Sequence, residues 1–581
     1  MNFLNQKLFW LTAIVCLMAS SSLSFAQSEE DELDDLEVPK PIPIGVAMFS
    51  SVERGFKEMD YIFETIEHPE LSDLVSINLA NLGDLKGVDR NRPFGLVFFL
   101  KPGTGFNIFP TPAFAAFLPC ENFDDLLATF GTTGMQVAKL PEYEYRYTMQ
   151  GPGQTFQLEQ FDEYVFITND ETLLDGEMPN PDSLTKTLAT RYDVAAQVNI
   201  KNVPVGMRKI LLDFLRAKME AEMQQRDEEP EGAWRARKAS TANNLHFIEQ
   251  LATQGDSITV GLDVSKELRK AVVEVDLNAK PGSQFAKYLG DSGGVTSYYR
   301  ALQSDPAIIS AYMSWQMQDE YAKNLKEIAV GIKQLIEEEQ SVDDLDDSAP
   351  VSPADDILVR TDGLFNCLAD TAEAGTLDAF GRMQQTANGT SVVLASVRVI
   401  NGTTASVTIS DLLEKMKARD GDNVDLQLNA ETYRGVTFHR VTPSNRDAGS
   451  QRVFGEDWSF YFGAGERTLW FLMGDEEVLI AVHDAIDKIL DPASQQALPD
   501  AAPFRFTLNM SQWLAMFENP DREPGEFRQK VNETFEAGDD RIVADMTPKE
   551  NGLRYRIRFE EGFVKIVGLF AARSFGIPLD E

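Results

Sequence analysis

The sequence predicts an α+β fold, arranged as two tandem copies of a mixed helix and largely antiparallel sheet domain. Three observations predict it: short alternating apolar segments interleave with amphipathic helical ones, hairpin signals join neighbouring strands, and one order of elements occurs twice. There is no regular β-α-β alternation and no Gly-rich strand-to-helix turn for phosphate, which excludes Rossmann and P-loop architectures.

Residues 1–26 carry a single charge, Lys7, then an apolar run over 8–18 and a polar stretch ending in Ser24-Phe25-Ala26. That is the pattern of a signal peptide cleaved after Ala26. The apolar run is shorter than the roughly 20 residues needed to span a bilayer, so no transmembrane anchor is expected in the mature chain. The expected location is the periplasm or the extracellular space. Residues 27–41 form an acidic leader, too charged over 29–37 to bury and therefore predicted to be disordered. The two repeat domains are placed at 42–300 and 301–581.

Each domain opens on a strand, 44–49 in the first and 308–313 in the second, followed by an amphipathic helix. Val52, Phe56, Met59, Phe63 and Ile66 point inward in one, Met317, Tyr321, Leu325, Ile328, Ile332 and Leu335 in the other. The clearest match pairs Tyr164-Val165-Phe166-Ile167-Thr168 with Leu469-Trp470-Phe471-Leu472-Met473. Acids follow both, Asp170-Glu171 and Asp475-Glu476, where carboxylates meet the positive end of a helix dipole. Next, 197–200 matches 507–510, and a hairpin follows Gly255 as it follows Gly538. Its second strand alternates as Val273, Val275, Leu277 in one copy and Tyr555, Ile557, Phe559 in the other, with Asn551-Gly552 as a tight-turn signal.

The domains differ at three places. The first has an extra helix from Pro204, with Met207, Ile210, Leu211, Phe214, Leu215 and Met219 read as one face. Oppositely charged blocks at 226–231 and 235–238 then suggest a self-paired helical hairpin. The second has an acidic loop, 337–356, predicted to be mobile. The first also carries an aromatic loop, 102–119, whose Phe106, Phe109, Phe114 and Phe117 are the candidate contacts for a ligand or partner. At the matching hairpin the second domain is assigned the short polar turn Asn401-Gly402-Thr403-Thr404.

Lys and Arg number 53 against 92 Asp and Glu, a formal charge of −39. Such a field repels nucleic acid, and it admits a basic protein or cations as partners, with an apolar ligand as the other class. After processing only Cys120 and Cys367 remain, which excludes a disulfide scaffold and a cysteine zinc cluster; a single disulfide and two buried thiols both stay open. His68, His246, His439 and His483 lack the close spacing of metal ligands, and His439 reads as a rim position on the strand 435–441. Asp420, Asp422 and Asp425 lack the glycine and the Glu that a calcium loop needs, and read as an exposed turn. No metal, no cofactor and no catalytic residue is predicted.

Gly290-Asp291-Ser292-Gly293-Gly294 resembles the nucleophile loop of chymotrypsin-like serine proteases. The resemblance implies Ser292 as nucleophile and the amides of Gly290 and Ser292 as oxyanion hole. Val295 stands where that family has proline, and a glycine cap ending the helix 283–289 accounts for the same run. As a layout of signal peptide, acidic leader and two α+β copies, the chain resembles the exported tandem-domain proteins of planctomycete-type bacteria. That resemblance implies export and duplication, and no activity. The expected function is a non-enzymatic extracytoplasmic binding or structural protein; the alternatives are a carrier of a lipid or other apolar ligand, and a serine hydrolase using Ser292.

Overall fold

Apolar alternation and polar caps set the elements from the first residues of the fold. Ile42–Phe49 (β1) buries Ile44, Val46 and Met48, every second side chain. Ser51 then opens α1 (Val52–Thr65), its hydroxyl accepting from the Arg54 N–H at 3.0 Å. The computed structural model describes residues 41–81, 83–101, 111–132, 135–151, 154–303, 305–343, 354–496, 502–517, 526–536 and 538–574. The signal peptide, the leader up to Lys40, and residues 344–353 of the acidic loop lie outside them.

After α1 come α2 (Glu70–Asn81), β2 (Phe94–Lys101), β3 (Thr111–Pro119) and α3 (Phe123–Thr132). A meander follows of β4 (Gln136–Lys139), β5 (Arg146–Gly151), β6 (Gln154–Phe161) and β7 (Tyr164–Thr168), then α4 (Pro181–Arg191) and β8 (Val194–Val198). The helices α5 (Val205–Glu222) and α6 (Glu231–Gln254) lead to the hairpin β9 (Gly255–Ser265) and β10 (Lys270–Ala279), and to α7 (Gln284–Asp291).

Next are β11 (Ile309–Gln316), α8 (Asp319–Asp343), α9 (Ala354–Glu373), β12 (Thr376–Gln385), β13 (Ser391–Arg398) and α10 (Gly402–Asp420). They continue as β14 (Val424–Tyr433), β15 (Val436–Pro443), α11 (Ala448–Phe454), β16 (Ser459–Ala464), β17 (Thr468–Gly474) and α12 (Glu477–Leu490). The chain closes with α13 (Pro492–Gln496), β18 (Phe504–Asn509), α14 (Met510–Met516), α15 (Glu526–Glu536), β19 (Arg541–Lys549), β20 (Gly552–Glu560) and α16 (Glu561–Ser574). Helix makes up 44% and strand 34%, and each strand pair of defined register is antiparallel, so the class is α+β.

Two compact units result. The first holds the described residues up to Met48 together with Ala80–Thr187. Its strands run in the order β1-β2-β3-β7-β6-β5-β4, with Leu126 of α3 packed on Met149, Leu158 and Val165 of the meander. The second unit holds Phe49–Leu79 and Leu188–Glu581. Its order is β8-β9-β10-β20-β19-β18-β11-β12-β13-β17-β16-β15-β14. The apolar face of α12, with Val478, Val482, Ala485, Ile486 and Ile489, covers Phe380, Leu394, Trp470 and Leu472 of this sheet. The boundary read near residue 300 falls inside this unit, because β10 pairs along its whole length with β20.

Two sequence readings change here. Asn401-Gly402-Thr403-Thr404 is no hairpin turn: Asn401 adopts φ 57° and launches α10, while Thr386–Thr390 closes the β12–β13 hairpin through Thr386 N–H donating to Thr390 O at 2.8 Å. Of the segment read as an acidic loop over 337–356, residues 337–343 belong to α8 and 354–356 to α9. The charged blocks after α5 do pair locally: the Arg237 guanidinium donates to Glu229 from Nε at 2.7 Å and from Nη2 at 2.6 Å.

α6 and α8 cross at a pair of glycines. A Cβ on Gly331 would lie 2.7 Å from Gly232 O and 2.8 Å from Ala236 N, and one on Gly232 would lie 2.2 Å from Leu335 N. Both contacts are with backbone, so only separation of the helices relieves them. Gly331→Ala is therefore expected to cost about 1–3 kcal/mol, read as a lower urea midpoint; an unchanged midpoint would show that the crossing tolerates a methyl group.

Candidate functional site

Of the four phenylalanines singled out, Phe106 and Phe109 lie outside the described residues. Residues 111–119 are strand rather than loop, paired to β2 and β7. Three positions apart on a strand, Phe114 and Phe117 point to opposite faces. Phe114 is 43% exposed, whereas Phe117 is fully buried with its ring edge-on to Tyr164 at 6.0 Å between centroids. The structure thus does not bring Phe114 and Phe117 together.

Several groups able to do chemistry are held within the fold. Ser292 is fully buried and its hydroxyl donates to Leu289 O at 2.7 Å, a helix-end contact that closes α7. His439 is buried, not on a rim: Asn429 N–H donates to Nδ1 at 3.2 Å, and Nε2 lies 3.3 Å from Ser410 Oγ. With Nδ1 accepting, the proton sits on Nε2, and burial holds the imidazole below its ordinary pKa and neutral. Cys120 and Cys367 are separate buried thiols, and burial pushes each up to about 11. Asp420 ends α10 and Asp425 lies in β14, so that acidic run is a helix-to-strand turn.

A dense polar cluster lies where β10 meets β20. Register sets Glu274 opposite Arg556 and Asp276 opposite Arg554. Arg556 Nε donates to Glu274 at 2.7 Å and Arg554 Nε to Asp276 at 2.8 Å. Arg191 pairs with both carboxylates, and Lys549 reaches Asp276 at 3.2 Å. A Cβ on Gly261 would meet the Tyr192 ring at 2.4 Å, so the glycine admits that ring, whose hydroxyl donates to Glu274 at 2.9 Å. Burial alone raises both acids; Arg556, Tyr192 and Arg191 more than offset this for Glu274, as Arg554 and Lys549 do for Asp276, leaving both below the usual carboxylate range. Four cations on two buried carboxylates make a clasp between strands 278 to 282 residues apart in the chain.

The concave surface with a different chemistry is a groove of about 310 Å³ beside α11, α14 and β12. Met383, Val453, Phe454, Trp513, Met516 and Phe517 line it, with Ser450 and Arg452 also contributing. Trp513 and Phe517 meet edge-to-face at 5.1 Å, and Ser391 Oγ donates to Met516 Sδ at 3.6 Å, which holds one wall. Phe517 remains 53% exposed. Two flexible thioethers and three aromatic rings make a surface that adapts to apolar shapes, and exposed Arg452 supplies a cation for one acidic group. Sequence reasoning missed this groove because its walls come from three segments, at Met383, 449–454 and 513–517, that are far apart in the chain.

No helix among the described residues is long and apolar enough to cross a membrane. No family model, curated protein or solved structure matches the chain.

Proposed function

We propose that the chain is an exported, non-enzymatic binding protein of the periplasm or extracellular space, built from two tandem copies of one α+β domain. The observation that carries the binding reading is the contrast between an open groove walled by apolar side chains and polar groups consumed by the fold, with Ser292 capping a helix and His439 bonded through both ring nitrogens. Duplication is supported by strand order. The pairing β11-β12-β13-β17-β16-β15-β14 repeats β1-β2-β3-β7-β6-β5-β4 strand for strand, and β18-β19-β20 repeats β8-β9-β10. Labelling by a serine-directed activity probe that disappears in Ser292→Ala would overturn the non-enzymatic reading.

The groove favours a second, narrower reading, a carrier of an apolar ligand with one acidic end. About 310 Å³ fits the lower end of small-molecule sites and suits part of an acyl chain, with Arg452 near the carboxylate. Protein purified from its own host is expected to show a bound small molecule in native mass spectrometry. Trp513→Ala with Phe517→Ala is expected to weaken uptake of a fluorescent fatty acid by about tenfold or more. Equal uptake by the double variant and the parent would remove the groove from consideration.

A further inference from the structure

Helix α5 is apolar on two sides. Leu212 is buried and Leu215 and Met219 are half-buried on the side that packs against α6, where Arg216 pairs with Glu249 and Arg208 Nη1 donates to Ala252 O at 2.9 Å. On the far side Ile210, Phe214, Ala217 and Ala221 form a stripe at spacings of four, three and four residues, the repeat of a helix-pairing seam. Phe214 is 67% exposed and Ile210 39%, and both alanines are exposed. A helix of 18 residues, about 27 Å long, presents this stripe outward.

We infer that the outer face of α5 is a self-association surface on which α5 of a second copy of this chain packs antiparallel. Two patterns on the helix select that occupant. Laid head to tail about a two-fold axis near Leu215 and Arg216, the stripe is complementary to itself, with Phe214 against the partner helix's small Ala217 and Ile210 against its Ala221. A parallel copy instead sets Phe214 against Phe214. The charged flank carries Lys209 and Glu220, both exposed, while Asp213 and Arg216 between them pair with each other and Arg216 with Glu249. A two-fold antiparallel pair brings like flanks together, so Lys209 faces the partner helix's Glu220, whereas a parallel pair turns this flank toward the partner's opposite flank and leaves Lys209 and Glu220 without each other. The seam is short for a protein interface, which makes the dimer a reversible one formed in the range of about 1–100 µM.

Sedimentation equilibrium of the purified chain tests this across that range. The parent is expected to move from monomer to dimer, and Phe214→Glu to raise the dimer dissociation constant about a hundredfold with unchanged thermal midpoint, since this ring is exposed in the monomer. Lys209→Glu is expected to weaken the dimer about tenfold and Lys209→Glu with Glu220→Lys to restore it, a rescue that a general loss of folding does not give. A parent that stays monomeric throughout, a Phe214→Glu variant that dimerises as the parent does, or a monomeric parent that co-sediments with phosphatidylglycerol vesicles through this face overturns the inference.

Discussion

Glu274→Ala is expected to lower the stability of the larger unit by about 3–5 kcal/mol, the cost of breaking a buried ion pair from one side. The carboxylate is 5% exposed and holds Arg556, Arg191 and the Tyr192 hydroxyl at once. Truncation leaves two guanidinium groups only about 30% exposed, of which Arg191 keeps Asp276 while Arg556 loses the carboxylate it donates to. Urea unfolding at pH 7 reads the loss. Replacing Glu274 and Arg556 together by Leu and Met is expected to cost less than the single change, because the uncompensated charge is what destabilises. The acid's pKa lies below its unfolded value, so its contribution is present above the ordinary carboxylate range and fades as pH falls through it. The gap between parent and variant should therefore narrow below about pH 4. A Glu274→Ala chain as stable as the parent at pH 7 would show that the cations find water at no cost, and that the β10–β20 seam rests on its apolar face alone.

That seam shows what the sequence makes legible. The alternation Val273, Val275, Leu277 and Tyr555, Ile557, Phe559 identifies both strands, and in the structure Val273 lies opposite Ile557 and Val275 opposite Tyr555. The other face of the same strands, acidic on β10 and basic on β20, is equally visible in the residues. Its meaning is not, because nothing local says that strands so far apart in the chain are neighbours. The same limit hid the groove. In α5 the difficulty is different: apolar residues surround most of the helix, so periodicity alone could not separate the buried Leu212 side from the exposed Phe214 side. His439 was misread because a strand position tells which neighbours share a face, not that α10 lays Ser410 over it. Asn401-Gly402 misled through its own chemistry, since a left-handed asparagine serves the entry to a helix as readily as a hairpin.

Glu58→Gln is expected to stabilise the fold at pH 8 by on the order of 2 kcal/mol and to change little at pH 4. Glu58 lies on α1 near Asp193, Asp263 and Glu267, with Arg54 as the nearby cation. Arg54 is already engaged, paired to Asp193 and donating to Asp263 at 2.8 Å. Burial first, and then the Asp193 charge, push the Glu58 carboxyl up to about 7. The unfolded chain releases this proton near the ordinary value of 4.5 while the fold keeps it, so stability is lost as pH rises from there to about 7 and stays lost above. Glutamine imitates the protonated acid and removes that slope. His439 acts with the opposite sign: its folded pKa lies below the unfolded value, so stability is complete above about 6.5 and declines as pH falls below it. The parent should then pass through a broad optimum in mildly acidic solution, while Glu58→Gln should keep rising toward neutrality and level off. Urea midpoints at pH 4 to 8 distinguish the two curves, and parallel curves for parent and variant would mean that the Glu58 carboxyl titrates in the fold as it does in the unfolded chain.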